Sequence, residues 1–148
     1  MVSSSSFVVA LLAWVSLAQA ATHTFNWTTG WGTHNVDGNK ERPVITCNGE
    51  FPWPNIKVQK GDRIQVYLKN GFDDRNTSLH FHGLFQNGTS MMDGPEMITQ
   101  CPIAPGDTML YNFTVDDNVG TYWYHSHTGG QYQDGMKGTL VIEDTKPY

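Results

Sequence analysis

Two short histidine motifs have the clearest chemical capability in this sequence. One is formed by His80 and His82, and the other, with the same spacing, by His125 and His127. Side chains at alternate positions of a β-strand leave the same face about 6.6 Å apart, so each motif can project two imidazoles in one direction. If the two strands lie side by side, four neutral imidazoles converge, and imidazole binds copper, zinc, iron and nickel. The spacing predicts a metal site at these four histidines.

The kind of metal is constrained less tightly than its ligands. A catalytic zinc takes three protein ligands and one water, so a single zinc leaves one histidine unused, and several ions fit four histidines better. A blue-copper site also needs a cysteine close to a histidine, and neither Cys47 nor Cys101 has one nearby. We therefore expect no blue-copper site in this chain. The isolated His23 and His34 are expected to make ordinary hydrogen bonds.

The segments that carry these motifs read as β-strands. Apolar and polar residues alternate with a period of two in residues 22–28, 62–70, 109–115, 120–127 and 138–143. The 15 glycines and seven prolines fall largely between such segments, in combinations that form turns. No stretch of a dozen residues shows a helical stripe. The pattern predicts an all-β fold, a Greek-key sandwich or barrel with loops collected at its ends.

Composition excludes several classes of protein. The chain has 148 residues, of which 39% are hydrophobic and only 16% charged, which suits one well-packed domain and not a disordered chain. Its formal net charge is −5 and it contains no basic run. Nucleic acid is not an expected partner, because binding a polyanion requires a clustered positive surface.

The amino terminus has the pattern of a secretory signal. An uncharged, apolar stretch in residues 7–17 is followed by Ala18-Gln19-Ala20, a small-x-small cleavage pattern. The stretch is too short to cross a hydrocarbon core, which needs roughly 20 residues. We expect a signal peptide in residues 1–20 and a mature chain of residues 21–148, located in the secretory pathway and then outside the cell or on the external face of the plasma membrane.

Glycosylation sequons and two cysteines agree with export. Asn-x-Ser/Thr sequons predict glycosylation at Asn26, Asn76, Asn87 and Asn112. Cys47 and Cys101 are expected to be oxidised in that compartment. Two cysteines allow either one internal bridge or two bonds to partners outside this segment, and the sequence leaves both alternatives open.

Two segments resemble the copper signatures of the fungal multicopper oxidases. The first comprises residues 78–89, 92–95 and 100–103, and the second comprises residues 120–127, 131–132 and 134–135. The resemblance covers residues 22–148 and implies the amino-terminal, cupredoxin-like domain of such an oxidase, truncated here. It implies the reduction of dioxygen to water at three coppers, with the remaining ligands and the blue copper supplied by the remaining cupredoxin domains.

The resemblance also implies individual roles. His80 would bind the type 2 copper, His82 and His125 one copper of the type 3 pair, and His127 the other. Asp93 would assist proton delivery, although it could equally be a turn residue in Asp-Gly-Pro. Trp123, on the strand face of the second histidine motif, would either shield the metals or be a core aromatic.

Two departures from many laccases favour the yeast-type iron-transport branch. Phe81 stands where many laccases have tryptophan, and Gln133 where many have cysteine. The resemblance then implies a ferroxidase that oxidises Fe(II) and passes Fe(III) to an iron permease. Three alternatives stay open: a laccase that oxidises phenols, a secreted copper-binding domain without turnover, and a small copper or zinc dismutase, for which the remaining histidines are poorly placed.

Overall fold

Alternating residue patterns build a sandwich of two four-stranded sheets. The computed structural model describes residues 20–116 and 118–144. Within them it has eight strands and one short 3-10 turn, Ser90–Met92. The strands are β1 (Thr22–His34), β2 (Arg42–Cys47), β3 (Ile56–Gln59), β4 (Arg63–Asn70), β5 (His80–His82), β6 (Thr108–Thr114), β7 (Gly120–His125) and β8 (Lys137–Glu143). The predicted all-β sandwich is confirmed.

Two pairs of consecutive strands, β1 with β2 and β7 with β8, are neighbours within a sheet, and the other connections cross between the two sheets. The first sheet has the order β2-β1-β4-β6, and the second has the order β3-β8-β7-β5. Strands β1 and β4 are parallel, as are β3 and β8, whereas the remaining pairs are antiparallel. Consequently β5, the strand of the first histidine motif, lies at the edge of the second sheet beside β7, the strand that leads to the second motif.

Period-two alternation decides which side chains enter the core. In β4, Ile64, Val66 and Leu68 are fully buried while the intervening residues are not. In the second sheet, Phe81 of β5 and Tyr124 of β7 belong to the same core cluster. Because successive side chains of a strand point to opposite faces, the neighbours of Phe81 and Tyr124 project away from the core. Those neighbours include histidines of both motifs.

The observed strands depart from the predicted ones at specific places. Strand β1 is longer than residues 22–28. Strands β2 and β3 were not predicted, and β5 was indicated only by the spacing of its two histidines and not by alternation. The predicted strand 120–127 ends at His125, because after this residue the chain turns: Ser126 N–H donates to Met136 O (3.0 Å), and Gly129 adopts a positive φ of 50°. His127 therefore lies in a loop.

The amino-terminal prediction falls outside the described part of the chain. Residues 1–19 of the predicted signal peptide are not among the described residues. No helix among the described residues is long and apolar enough to cross a membrane.

Candidate metal centre

Antiparallel pairing of β5 with β7 brings the two histidine motifs together. The register places His80 opposite His125 and His82 opposite Trp123. Since the intervening Phe81 and Tyr124 are in the core, these side chains emerge on the outer face of the second sheet. The predicted convergence of the motifs is thus what the structure shows.

The four imidazoles form a cluster centred on His80. Its ring centroid lies 5.3 Å from that of His82, 5.3 Å from that of His125 and 5.4 Å from that of His127. One ring nitrogen each from His80, His82 and His125 lie within 4.8 Å of one another. The closest pair is His82 Nδ1 and His125 Nε2, 3.3 Å apart. His127 stacks on His125 at 6.1 Å but is not within the tighter group.

Backbone carbonyls orient two of the rings. His80 Nδ1 lies 2.6 Å from Asp93 O, and His125 Nδ1 lies 2.8 Å from Ser126 O. A carbonyl oxygen only accepts, so in both rings Nδ1 carries the hydrogen and donates it. In the neutral ring the other nitrogen, Nε2, then has a free lone pair. This is the arrangement that holds a metal-binding histidine in one tautomer.

The surroundings favour neutral imidazoles. Burial lowers the pKa of His80, and this outweighs the hydrogen bond to Asp93, which acts in the opposite direction. Burial likewise lowers the pKa of His125, with the neighbouring imidazoles adding to the effect. A metal binds only the deprotonated form of an imidazole, so these shifts prepare the cluster for a cation.

The donor set fits a first-row transition metal. Bonds from imidazole nitrogen to such an ion measure about 2.0–2.1 Å, so two nitrogens 3.3 Å apart on one ion subtend roughly a tetrahedral angle. His82 Nδ1 and His125 Nε2 can thus share an ion. Imidazole ligation suits copper. Both His82 and His127 are exposed, so further ligands can approach from outside the sandwich.

Asp93 contacts the cluster in two ways. Its backbone oxygen accepts from His80 Nδ1, and its carboxylate Oδ1 lies 3.3 Å from the same nitrogen. The close approach depends on Gly94, whose φ is +100° and where a Cβ atom would collide with the carbonyl of Leu79. The Asp-Gly-Pro turn and the position of Asp93 beside the histidine cluster are therefore two aspects of one structure, not alternatives.

Aromatic rings shield one flank of the cluster. Trp123 stacks on His125, with ring centroids 4.1 Å apart, and lies 5.1 Å from His82. It is not part of the buried core, so the interpretation as a core aromatic is wrong. Tyr132, for which the sequence predicted no role, lies 5.3 Å from His125. Tyr132 belongs to the Gln-Tyr pair of the second copper signature, and this pair could have indicated a place near the cluster. No period-two pattern connects the pair with strand β7.

The remaining predicted residues lie away from the cluster. Asn26, Asn76 and Asn87 are exposed and Asn112 is half-buried, and their glycosylation stays a prediction. Cys47 and Cys101 are not joined: Cys47 is buried, which raises the pKa of its thiol to about 12, and Cys101 is exposed. The structure thus has no internal bridge, and bonds to other cysteines stay a prediction.

Comparisons with known proteins agree with the cluster. The family model described as multicopper oxidase matches residues 28–147. The protein named iron transport multicopper oxidase FET3 from Kluyveromyces lactis is 83% identical over 97% of this chain. The crystal structure of Fet3p, described as a multicopper oxidase that functions in iron import, is 73% identical over 86% of this chain, with a TM-score of 0.83. A laccase structure from Botrytis aclada is 40% identical over 84%, with a TM-score of 0.78.

This chain covers only part of the length of these relatives. The chain spans 23% of the length of the Kluyveromyces lactis relative, 24% of the Fet3p chain and 23% of the laccase chain. The described fold is the cupredoxin-like sandwich of these neighbours, and the copper signatures lie within the matched residues. This chain belongs to the multicopper oxidase family.

Proposed function

We propose that this chain is the first, copper-binding domain of a multicopper oxidase that acts as a ferroxidase. One observation carries the proposal: the rings of four histidines, from two neighbouring strands and the loop after β7, converge on the outer face of the sandwich, and His82 Nδ1 and His125 Nε2 lie 3.3 Å apart with no carboxylate between them. Iron transport is the function in the names of two relatives that are 83% and 71% identical to this chain. The laccase structure is more distant, which favours Fe(II) over a phenol as the substrate.

The division of the four histidines among three coppers follows the resemblance to the multicopper oxidases, and the distances are compatible with it. His82 Nδ1 and His125 Nε2 are close enough to share one copper of the type 3 pair. His127, outside the tighter group, would hold the other type 3 copper, and His80 Nε2 the type 2 copper. Bound copper supplies one-electron redox chemistry, which passes electrons to dioxygen.

The residues around the cluster keep the ligands oriented and supply protons. The carbonyls of Asp93 and Ser126 hold the rings of His80 and His125. Reduction of dioxygen to two waters consumes four electrons and four protons. The half-buried carboxylate of Asp93, beside His80, is placed to hold a proton and release it towards the ligand face of the cluster.

The histidine cluster lies on the outer face of the sandwich, so we expect other parts of the full-length protein to pack over it. Exposed His82 and His127 leave room for ligands from elsewhere, and the relatives are about four times as long as this chain. Further cupredoxin domains would complete the copper cluster and supply the blue copper. The predicted signal peptide and the three exposed sequons support a location of the whole protein outside the cell or on the plasma membrane, where an iron permease would receive Fe(III).

The test is an oxygen-consumption assay on the copper-loaded, full-length gene product. We expect consumption of one dioxygen per four Fe(II) oxidised, with Fe(II) preferred over a phenolic substrate. Preference for the phenol would instead support a laccase. Stoichiometric copper binding without oxygen consumption from either substrate would overturn the proposed oxidase activity and leave a copper-binding domain.

A further inference from the structure

His127 is held differently from the other three histidines. The β5–β7 ladder pairs three residues on each strand and ends at the pair of His80 with His125. His127 lies two residues beyond the end of β7, in a loop. Its ring centroid is nevertheless 5.4 Å from that of His80. Strand pairing therefore does not explain its position, and another set of contacts must.

A buried glutamine connects this loop to the segment that leads into β5. Gln131 is only 6% exposed. Its Oε1 accepts hydrogen bonds from Ser126 Oγ (2.7 Å) and Thr77 Oγ1 (2.8 Å), and its Nε2 donates to Asn76 O (2.7 Å). One side-chain amide thus joins the residue that precedes His127 to the chain that precedes His80.

A second chain of hydrogen bonds holds the other side of His127. Thr128 Oγ1 donates its one hydrogen to Glu96 Oε2 (2.7 Å), so the buried Ser78 hydroxyl must donate to Thr128 Oγ1 (3.1 Å). Thr128 N–H also donates to Ser126 Oγ (3.2 Å). Ser126 Oγ therefore accepts one hydrogen bond, from Thr128 N–H, and donates its own hydrogen to Gln131 Oε1. Both chains of hydrogen bonds, the one through Thr77 and the one through Thr128, thus end at Gln131.

We propose that Gln131 is the positioning residue for His127, and thereby for the copper that His127 would hold. The inference rests on the proposed function, since it concerns one ligand of the same cluster. Gln131 does not touch the imidazoles' metal-facing side. It acts by fixing Ser126, so that the loop presents His127 beside His80 when a metal arrives.

The test compares three substitutions in the copper-loaded, full-length gene product. Gln131→Leu removes every hydrogen bond of the amide, while Gln131→Glu keeps an oxygen that accepts from both hydroxyls. Gln133→Leu is the matched control, because this glutamine is exposed two residues away. Copper occupancy beside His127, relative to that beside His125, is measured by anomalous X-ray diffraction during copper titration.

We expect Gln131→Leu to weaken copper binding at His127 about 10–100-fold, as the loss of residues that orient metal ligands does, with a smaller loss beside His125, whose ring also contacts Ser126 O. Gln131→Glu should keep more copper at His127, and Gln133→Leu should match the wild type. Val58→Ala, in the buried opposite edge strand β3, controls for lost stability, and it should lower Tm without selective copper loss. If Gln131→Leu does not fold, Thr77→Val removes one of the same bonds and should show a milder selective loss.

Equal occupancy at His127 in Gln131→Leu, or in Thr77→Val where that variant is the one available, overturns the inference. So does an equal loss of copper at His125 and His127. Wild-type protein without copper at any of the four histidines would instead refute the proposed function, so the two failures are distinguishable.

A different observation, independent of copper, concerns the start of the mature chain. Asp62 is 5% exposed, yet its carboxylate accepts from Ala21 N (2.8 Å) and Gln59 N (2.9 Å) and lies 2.8 Å from His23 Nε2. Ala21 O in turn accepts from Arg63 N–H (2.8 Å). Ala21 is the residue that follows the predicted cleavage site, and β1 begins at the next residue, Thr22.

We infer that Asp62 is a receptor for the α-ammonium group that cleavage creates at Ala21. In the precursor, Ala21 N is an amide that donates one neutral hydrogen bond. After cleavage it is a cation beside a buried carboxylate, and charge-assisted hydrogen bonds are roughly twice as strong as neutral ones. Removal of the signal peptide would therefore tighten the pairing of β1 with β4.

A double-mutant cycle on the secreted, full-length gene product tests this inference. One added glycine before Ala21 displaces the ammonium by one residue, with the new terminus verified by mass spectrometry. We expect the addition to lower Tm by about 2–4 °C in the wild type and to have little effect in Asp62→Asn, because the partner is already lost. Equal effects in both backgrounds, or a mature chain that starts elsewhere, overturn it.

Discussion

Histidine occurs in two kinds of surroundings in this protein, and their contrast distinguishes a histidine that stabilises the fold from histidines that can bind a metal. His23 lies 2.8 Å from the buried carboxylate of Asp62, which gives a protonated imidazole a counter-charge. In the cluster, by contrast, His82 and His125 face each other at 3.3 Å with no carboxylate between them. The first site is complete without a ligand, and the second is complete only with a cation.

The difference shows that the partner of a histidine, and not its burial, identifies a metal site. Both sites lie on sheet surfaces and both contain partly buried rings. At His23 a ring nitrogen is paired with a protein carboxylate, whereas in the cluster His82 Nδ1 and His125 Nε2 face each other and can share only one hydrogen. Ring nitrogens that converge with fewer hydrogens than lone pairs cost free energy unless a metal ion binds.

The largest effect is expected from His82→Ala. This side chain is exposed, so its removal should hardly change Tm, but copper content should fall and oxygen consumption should drop by more than about 100-fold, which exceeds the usual effect of removing a residue that only orients a ligand. His23→Ala, the matched control, should lower Tm and leave copper content unchanged. Metal analysis with thermal unfolding checks both, and loss of copper in His23→Ala would contradict the contrast.

The next effect concerns Asp62 and its pH dependence. Burial alone raises the pKa of Asp62, but hydrogen bonds from Gln59, Ala21 and His23 outweigh it and hold the pKa below its ordinary value of 3.8. A lowered pKa stabilises the fold above the unfolded-state pKa, and this contribution is lost as the pH falls through the folded value. We expect Asp62→Asn to reduce the free energy of unfolding by about 2 kcal/mol near neutral pH.

Urea unfolding at several pH values checks that prediction. The difference between wild type and Asp62→Asn should be constant from neutral pH down to about pH 5 and should shrink below 3.8. A difference that grows on acidification would show that the sign is wrong.

A smaller effect is expected beneath the cluster, on the core side of β5. Tyr111 is fully buried, and its hydroxyl oxygen accepts from Leu79 N–H (2.9 Å), directly before His80. Burial raises the pKa of Tyr111 to about 12, so the hydroxyl stays neutral at physiological pH. Tyr111→Phe should cost about 1–2 kcal/mol of unfolding free energy by leaving that N–H unpaired, with copper content unchanged. Tyr67→Phe, at an exposed tyrosine, is the control.

The smallest effect is expected from His34→Ala. The ring of His34 makes one exposed hydrogen bond, to Gly49 O at 3.2 Å, and surface changes usually stay within about 0.5 kcal/mol. Chemical denaturation should show no more than that, and copper content should not change. A copper loss in this variant would mean that convergence of rings is not what defines the site.

The sequence predicted the pairs of histidines but not the frame that holds them. Alternation in β4 and β7 is visible because each strand has one buried face, so the all-β fold could be predicted, and the His-x-His spacing alone indicated that both histidines of a pair leave one face of a strand. The end of β7 at His125 depends on tertiary hydrogen bonds to Met136, which periodicity does not record. The shorter contact of Asp93 with His80 is made by its backbone carbonyl oxygen, and because every residue has such an oxygen, residue type could not predict this contact.

The central claim is that the four histidines are copper ligands, and anomalous diffraction at the copper absorption edge tests it most directly. In crystals of the full-length protein, the account predicts copper about 2.0–2.1 Å from both His82 Nδ1 and His125 Nε2, with further ions bound by His80 Nε2 and by His127. Copper-loaded protein whose anomalous peaks lie elsewhere, or none at these nitrogens, would contradict it.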